Sequence, residues 1–258
     1  MKASYSSVSC WNTCPFLYKL RYIEHLETVE DTSPTNALYI GTRCHDGIEH
    51  RDVDMAINSY TSHFAELTKE HEIEILKLKT ILPKAFERIP EGEYEYKLDV
   101  PNEFVGYIDC LVKVEDGVYD LLDFKTTNNI SGYKKSPQVM IYKYYYERLT
   151  GNKIRDLYYV FIPKSTIKLT EGLSDEDIKT QIVEDLSNKE IHFEKVEYDP
   201  QQVNYFFARK KLIEKSKTFE KRYSVSCRWC DFQKFCRTNG VDKSELKESS
   251  LHRLEKSL

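Results

Sequence analysis

The sequence lacks an excess of charge of either sign and lacks any long hydrophobic run. Of its 258 residues, 31% are charged, yet the net charge is only −4. Nucleic-acid binding would therefore have to come from local clusters of Lys and Arg rather than from a global basic field. No apolar segment approaches the roughly 20 residues that span a bilayer, so we expect no membrane partner.

Signals for export and for nucleotide-driven movement are also missing. Residues 1–5 contain no apolar core of the kind found in signal peptides, so we expect a cytoplasmic protein. The chain has no Gly-x4-Gly-Lys-Ser/Thr loop, which would bind nucleotide phosphates and power strand separation. Hydrophobic residues make up 40% of the sequence, which is enough for one large folded domain with an appendage.

The order of the predicted elements indicates an α/β fold. Helical patterns cover residues 4–26, 38–60, 61–88 and 137–151, with further helices from Ser174 and Asp199. Strand patterns cover 93–99, a pair within 105–125, 156–162 and 191–197. Helices placed between and around such strands predict a mixed central sheet flanked by helices. The charged tail, 241–258, carries leucines as far as Leu258 and is expected to be a weak helix or disordered.

The strand pair within 105–125 carries two acidic residues whose separation depends on the turn. A three-residue turn over 115–117, with Gly117 left-handed, would place Asp109 opposite Asp123 at roughly 5 Å on the same face. A two-residue turn at 116–117 would instead put the two carboxylates on opposite faces. We predict the three-residue turn. Two carboxylates this close require a cation between them.

The segment Asp123-Phe124-Lys125 places a carboxylate and an ammonium side by side on one face of a strand. A lone pair of this kind is usually an exposed ion pair. Here Asp109 lies on the neighbouring strand and apolar residues occupy the opposite face, which favours a hydrolytic metal site. Lys125 would then orient or deprotonate the attacking water.

Residues before and after the strand pair extend this site. His45 lies on a predicted helix, and an imidazole from a helix packed on the sheet would complete an oxygen and nitrogen site suited to Mg²⁺ or Mn²⁺. Glu49, one turn later, is a further ligand, a partner that orients His45, or a solvated residue; we favour the partner. Gln138 and Tyr142 share one side of the following helix and are expected to contact a DNA phosphate.

The cysteines give the strongest single signal. Cys227, Cys230 and Cys236 follow a Cys-x2-Cys-x5-Cys pattern, and a closed site needs a fourth thiolate from elsewhere. Cys14 is the favoured fourth ligand and Cys10, one turn earlier, is the alternative. Four thiolates bind either Zn²⁺ or an iron–sulfur cluster, and spacing does not decide between them. In both cases the cofactor would join residues 1–26 to residues 220–240.

These motifs together resemble the RecB-like branch of the PD-(D/E)XK nuclease superfamily, in particular its iron–sulfur exonucleases, which include the CRISPR-associated RecB-like exonucleases and the AddB nuclease domain. The resemblance runs from Ser4 to Arg237. It lies in five patterns that occur in the family's order: Gly41-Thr42…His45, Gly106…Asp109, Asp123-x-Lys125, Gln138…Tyr142, and Cys14-Pro15 with Cys227, Cys230 and Cys236. Asp123 stands where many relatives have Glu, which shortens the side chain and keeps its charge.

The resemblance implies a restriction-endonuclease-like core with a helical N-terminal region and a C-terminal iron–sulfur knuckle, in a single nuclease domain over residues 1–240. It implies that Asp109, Asp123 and Lys125 are catalytic. His45, Asp109, Asp123 and the Phe124 carbonyl would hold Mg²⁺ or Mn²⁺. The cofactor held by Cys14, Cys227, Cys230 and Cys236 would be a [4Fe–4S] cluster.

Two functions follow as expectations. The first is a metal-dependent DNA exonuclease acting on single-stranded ends in recombination, repair or CRISPR-adaptation-like processing, with a helicase or recombination factor as a possible protein partner. The second is a non-catalytic, cluster-stabilised DNA-binding or scaffold subunit of a recombination complex.

Overall fold

Within residues 2–256, which the computed structural model describes, five strands and ten α-helices form an α/β protein. Leu258 of the predicted tail lies outside this range. The strands are β1 (Glu93–Val100), β2 (Phe104–Glu115), β3 (Val118–Thr126), β4 (Lys153–Ile162) and β5 (His192–Val196). The helices are α1 (Tyr5–Thr13), α2 (Pro15–Tyr18), α3 (Ala37–His50), α4 (Val53–Thr61), α5 (Lys69–Arg88), α6 (Gln138–Thr150), α7 (Asp175–Ser187), α8 (Pro200–Lys215), α9 (Gln233–Arg237) and α10 (Glu248–Lys256).

The strands form one mixed sheet in the order β1-β2-β3-β4-β5. The β2–β3 and β4–β5 pairs are antiparallel, whereas β3 and β4 are parallel and are connected through α6. The predicted mixed sheet with flanking helices is confirmed. None of the helices within 2–256 has the length and apolar character needed to cross a bilayer.

The chain divides into two compact units. The first consists of the residues up to 31, residues 101–105 and the residues from 203 onward; the second consists of 32–100 and 106–202. In the second unit, one face of the central strands packs against α3, α4, α5 and α7, and this face includes Cys110, Leu122, Phe124 and Val160. The alternation of β3 therefore buries Leu122 and Phe124 and directs Asp123 and Lys125 to the opposite face.

The first unit has a small apolar core of its own. Leu20 and Leu26 pack with Phe232, Phe235 and Leu246. The tail is a helix, α10, at its end, and it is attached to the N-terminal region because the Ser250 hydroxyl accepts a 2.7 Å hydrogen bond from the Glu27 amide. Of the two expectations for the tail, the helix is the one that the structure shows.

The predicted helix over 38–60 is two helices. Arg51 ends α3 in the left-handed conformation (φ 50°), and Asp52 caps α4 by accepting a 2.9 Å hydrogen bond from the Met55 amide. The Arg51 guanidinium donates to the carbonyls of Phe86 and Ile89, both at 2.7 Å. These two tertiary hydrogen bonds offset the strain of the left-handed residue. No local sequence pattern predicts them.

Two glycines of α3 provide a test of this packing. A Cβ on Gly47 would lie 2.9 Å from Leu82 Cδ1 and 3.0 Å from Ala56 Cβ, whereas a Cβ on Gly41 would meet nothing within 4 Å. Both substitutions by Ala gain about 1 kcal/mol of helix propensity. We expect Gly47→Ala to be less stable to urea than Gly41→Ala by about 1–3 kcal/mol, the usual cost of overpacking. Equal stabilities would contradict the close packing of α3 on α4 and α5.

Candidate active site

The register of the β2–β3 hairpin decides whether its two acidic residues meet. Cys110 lies opposite Leu122, and Lys113 lies opposite Tyr119. The pairing ends at Cys110 and Leu122; one further residue in the same register would set Asp109 opposite Asp123. The predicted three-residue turn is wrong, because Glu115 pairs with Val118 around a two-residue turn. A bulge between Lys113 and Glu115 adds one residue to β2 and so restores the register.

The two carboxylates lie in a buried setting. Asp123 is fully buried, and apart from the Lys125 ammonium no group within the described residues donates a hydrogen bond to its oxygens. Asp109 accepts a 2.5 Å hydrogen bond from the Phe124 amide. Burial raises the pKa of each carboxyl to about 6. A buried carboxylate with so few donors is a fitting ligand for a cation.

Lys125 supplies the positive charge next to this pair. Burial favours the neutral amine, but Asp123 and Asp109 outweigh it, so the pKa of Lys125 lies above its ordinary value. The ammonium lies beside two neighbouring aromatic rings, 5.6 Å from the Tyr133 centroid and 5.7 Å from that of Tyr159. Tyr159 pairs with Asp123 across β3 and β4, and its hydroxyl is 2.9 Å from Ser136 Oγ. The lysine is thus held in position from several sides.

His45 reaches the carboxylates from α3. Its Nδ1 lies 3.9 Å from Asp109 Oδ2, and its ring packs edge-on against Phe124 with centroids 5.6 Å apart. Burial and the charge of Lys125 lower the pKa of His45 to about 4, although the Phe124 backbone accepts a hydrogen bond from the ring. At neutral pH the imidazole is therefore uncharged, which is the form that binds metals.

Glu95 on β1 is a candidate ligand that the sequence analysis missed. Ligand atoms of Glu95, His45 and Asp109 all lie within 4.8 Å of one another. Burial, followed by the charge of Asp109, raises the pKa of Glu95 to about 7. In the sequence, Glu93, Glu95 and Lys97 alternate like one solvated face of an edge strand. The left-handed conformation of Glu95 (φ 48°) interrupts that alternation and has no sequence signature.

The remaining predicted site residues lie as follows. Glu49 Oε2 is 3.9 Å from His50 Nδ1, and its charge contributes to the raised pKa of Glu95. Its role as a partner of His45 stays a prediction. Gln138 Nε2 donates a 3.1 Å hydrogen bond to the Tyr142 hydroxyl, and Tyr142 is buried. The predicted spacing on one side of α6 is thus present, and the phosphate contact stays a prediction.

A comparison with protein families identifies this arrangement. The model described as the PD-(D/E)XK nuclease superfamily matches residues 2–237. The chain belongs to the PD-(D/E)XK nuclease superfamily. Membership supports a metal-dependent nuclease, and the oxygen and nitrogen donors gathered from α3, β1 and β2 suit a hard divalent cation; Asp123 of β3 lies outside this group of three. No curated protein matches the chain.

In the first unit of this PD-(D/E)XK protein, the four predicted cysteine ligands line one small pocket. Cys14, Cys227, Cys230 and Cys236 share it with apolar residues that include Phe16, Leu20 and Phe232. The Arg222 amide lies 3.4 Å from Cys14 Sγ, and the Ser224 amide lies 3.4 Å from Cys227 Sγ. Backbone donors of this kind stabilise thiolates.

Cys10, the alternative fourth ligand, lies near the pocket without lining it. Its thiol is buried, and burial raises its pKa to about 11 despite the nearby Arg21. Cys14, in contrast, lines the pocket directly. Cys14 is therefore the better placed of the two candidates. Cys44 and Cys110 are buried in the second unit, as expected for small apolar residues.

We predict that Mg²⁺ or Mn²⁺ raises the Tm of the protein and that this rise grows between about pH 5 and pH 7.5. The cation binds ionised carboxylates, and Asp109 and Asp123 ionise near pH 6 and Glu95 near pH 7. Thermal unfolding with and without each cation, across this pH range, measures the effect. Asp123→Asn should abolish the rise and Glu95→Gln should reduce it. An unchanged Tm on addition of Mg²⁺ or Mn²⁺ at pH 7.5 would contradict cation binding at this site.

The same pKa values determine the direction in which folding stability changes with pH when no cation is bound. Asp109, Asp123 and Glu95 have higher pKa values in the folded state than in the unfolded state. The contribution of each carboxyl to the free energy of unfolding therefore falls as pH rises from about 4 toward 6 or 7. His45 has a lowered pKa and acts in the opposite sense between about pH 4 and its ordinary 6.5. Because three carboxyls act in one direction and one imidazole in the other, the site's total contribution to folding stability falls as pH rises from about 4 toward 7 when no cation is bound.

Proposed function

We propose that this PD-(D/E)XK protein is a DNA exonuclease that hydrolyses phosphodiester bonds at single-stranded ends. The observation that carries the proposal is the face shared by Asp109, Asp123 and Lys125, with a neutral His45 beside it. All the polar groups that metal-dependent hydrolysis requires are thereby gathered on one side of the sheet.

His45, Asp109, Asp123, the Phe124 carbonyl and Glu95 would hold Mg²⁺ or Mn²⁺, which when bound supplies a Lewis acid and lowers the pKa of water. Lys125 would position the attacking water or receive its proton. The two tyrosines around its ammonium restrict where that nitrogen can lie. Because the lysine is positioned before substrate arrives, little ordering is needed at the moment of reaction.

Substrate positioning falls to α6 in this proposal. The side-chain amide of Gln138 and the hydroxyl of Tyr142 are already joined by a hydrogen bond. Such a preformed pair offers a donor to a phosphate oxygen without contacting the base, so it would hold DNA of any sequence.

Substitution of the site residues tests the proposed activity. We expect Asp123→Asn and Lys125→Ala to reduce Mg²⁺- or Mn²⁺-dependent degradation of end-labelled single-stranded DNA by about 10³-fold or more, since metal-ion catalysis supplies several kcal/mol. Asp116→Ala is the matched control, because Asp116 lies in the same hairpin and is fully exposed. Unchanged circular dichroism spectra would establish folding. Full activity in Asp123→Asn would overturn the proposal.

The cysteine pocket belongs to the proposal as a [4Fe–4S] site of the RecB-like iron–sulfur branch. In support, Cys14, Cys227, Cys230 and Cys236 all line the one pocket. A tetrahedral Zn²⁺ with sulfurs at about 2.3 Å holds those sulfurs less than about 4 Å apart. Within residues 2–256, no three cysteines bring their sulfurs within 4.8 Å of one another, so the support for a cofactor here is the shared pocket and the family resemblance.

Anaerobic purification tests the cofactor. We expect brown protein with bound iron and visible absorbance in the wild type and in Cys10→Ala, and loss of both in Cys14→Ala and Cys227→Ala. The loss of a cofactor that closes nearly the whole chain as one loop should also lower Tm. Colourless wild-type protein that carries one Zn²⁺ would replace the cluster with a structural zinc site and leave the proposed nuclease intact.

The biological setting completes the proposal. A cytoplasmic exonuclease would receive ends from a helicase or recombination factor in recombination, repair or CRISPR-adaptation-like processing. The non-catalytic scaffold is the weaker alternative, since such a protein has no need of a buried carboxylate pair beside a positioned lysine.

A further inference from the structure

The segment that bears the last three cysteines exposes large apolar side chains. Trp229 is 74% exposed, Tyr223 is 73% exposed and Val225 is 65% exposed. We call these three residues the knuckle face. Trp11, the other tryptophan of the chain, is 6% exposed and packs edge-on against Tyr18 and Phe219 at 5.5 Å. Leaving a tryptophan in water forgoes a large burial energy, which marks such residues as candidates for contact with a partner.

The charge around the knuckle face limits the kind of partner. Residues 209–237 contain ten Lys or Arg and three Asp or Glu, in a chain whose net charge is −4. Arg222, Arg228, Lys234 and Arg237 are all exposed. A basic cluster of this density attracts a polyanion and is unfavourable for most apolar protein partners.

Buried side chains and hydrogen bonds order the segment that carries the knuckle face. Phe232 and Phe235 are buried against Leu20 and Leu26, and Gln233 Nε2 donates a 2.5 Å hydrogen bond to the Cys227 carbonyl. Ser224 caps the 3₁₀ turn Val225–Trp229 that carries the tryptophan. An aromatic side chain on an ordered turn gives up little entropy when a ligand stacks on it.

We infer that the knuckle face is a binding surface for single-stranded nucleic acid. Unpaired bases stack on Trp229 and Tyr223, and backbone phosphates pair with Arg228 and its exposed basic neighbours. Stacking on aromatic side chains within a basic surface is how proteins hold single strands without reading their sequence. A duplex hides its base faces, so it gains only the phosphate contacts. The inference rests on the proposed function for the choice of DNA as ligand, and it needs no cleavage.

Tryptophan fluorescence tests the inference directly. Oligothymidylate is titrated into Asp123→Asn protein without divalent cations, so that binding is measured apart from hydrolysis. We expect oligothymidylate to quench the fluorescence of the parent. The anisotropy of a fluorescein-labelled oligothymidylate, which needs no tryptophan, should show affinity weakened by roughly 5- to 150-fold in the Trp229→Ala double variant, the range for loss of one stacked base. Trp229→Phe should keep most of the affinity. Arg228→Gln should reduce the salt dependence by about 0.7 in the slope of log K against log salt.

The control variant is Tyr198→Ala, since Tyr198 is an exposed tyrosine (39%) outside residues 209–237. It should bind oligothymidylate as the parent does, and a blunt duplex of equal length should show little dependence on Trp229. Unchanged affinity in Trp229→Ala would overturn the inference and leave the knuckle face to a protein partner. Failure of the nuclease assay with an intact Trp229 effect would overturn the proposed activity alone.

Discussion

The structure of the site depends on the repulsion between two neighbouring carboxylates, the partly buried Asp109 of β2 and the fully buried Asp123 of β3. At roughly 5 Å and an effective dielectric constant of about 20, two such charges repel by about 3 kcal/mol, before the cost of burying them. The Phe124 amide and the Lys125 ammonium offset part of that energy. Burial is the largest cause of the raised pKa values of both carboxyls, and the charge of Asp109 raises the pKa of Asp123 further. A folded chain keeps such an arrangement only where the rest of the structure enforces it.

Packing of the apolar side of the same strands holds the two carboxylates in place. Leu122 and Phe124 alternate with Asp123 and Lys125, so burying the first pair under the helices fixes the direction of the second pair. The same packing brings α3 against the sheet, where His45 contacts the Phe124 ring. One hydrophobic layer therefore sets both the orientation of the carboxylates and the position of the imidazole.

Sequence patterns predicted the elements that follow from local alternation and failed where a tertiary contact decides. The β3 alternation gave the face shared by Asp123 and Lys125, and Gly117 located the turn. The bulge before Glu115 has no signature in the sequence. It nevertheless produces the strand register that the sequence analysis had derived from an incorrect three-residue turn. Arg51 and Glu95 adopt left-handed conformations that neither residue type favours, so the split of the long helix and the approach of Glu95 were not predictable.

The charge balance of the site argues for one divalent cation. Ionised Asp109, Asp123 and Glu95 carry three negative charges, Lys125 carries one positive charge, and His45 is neutral at physiological pH. The charges of Asp46 and Glu49 also act on Glu95, so the site carries an excess of negative charge that attracts a divalent cation such as Mg²⁺ or Mn²⁺. The lysine and such a cation also compete for the same Asp123 oxygens, because both are attracted by a carboxylate with no other donor among the described residues. A cation held by Asp123 would therefore share that carboxylate with the Lys125 ammonium, which is its only hydrogen-bond donor among the described residues.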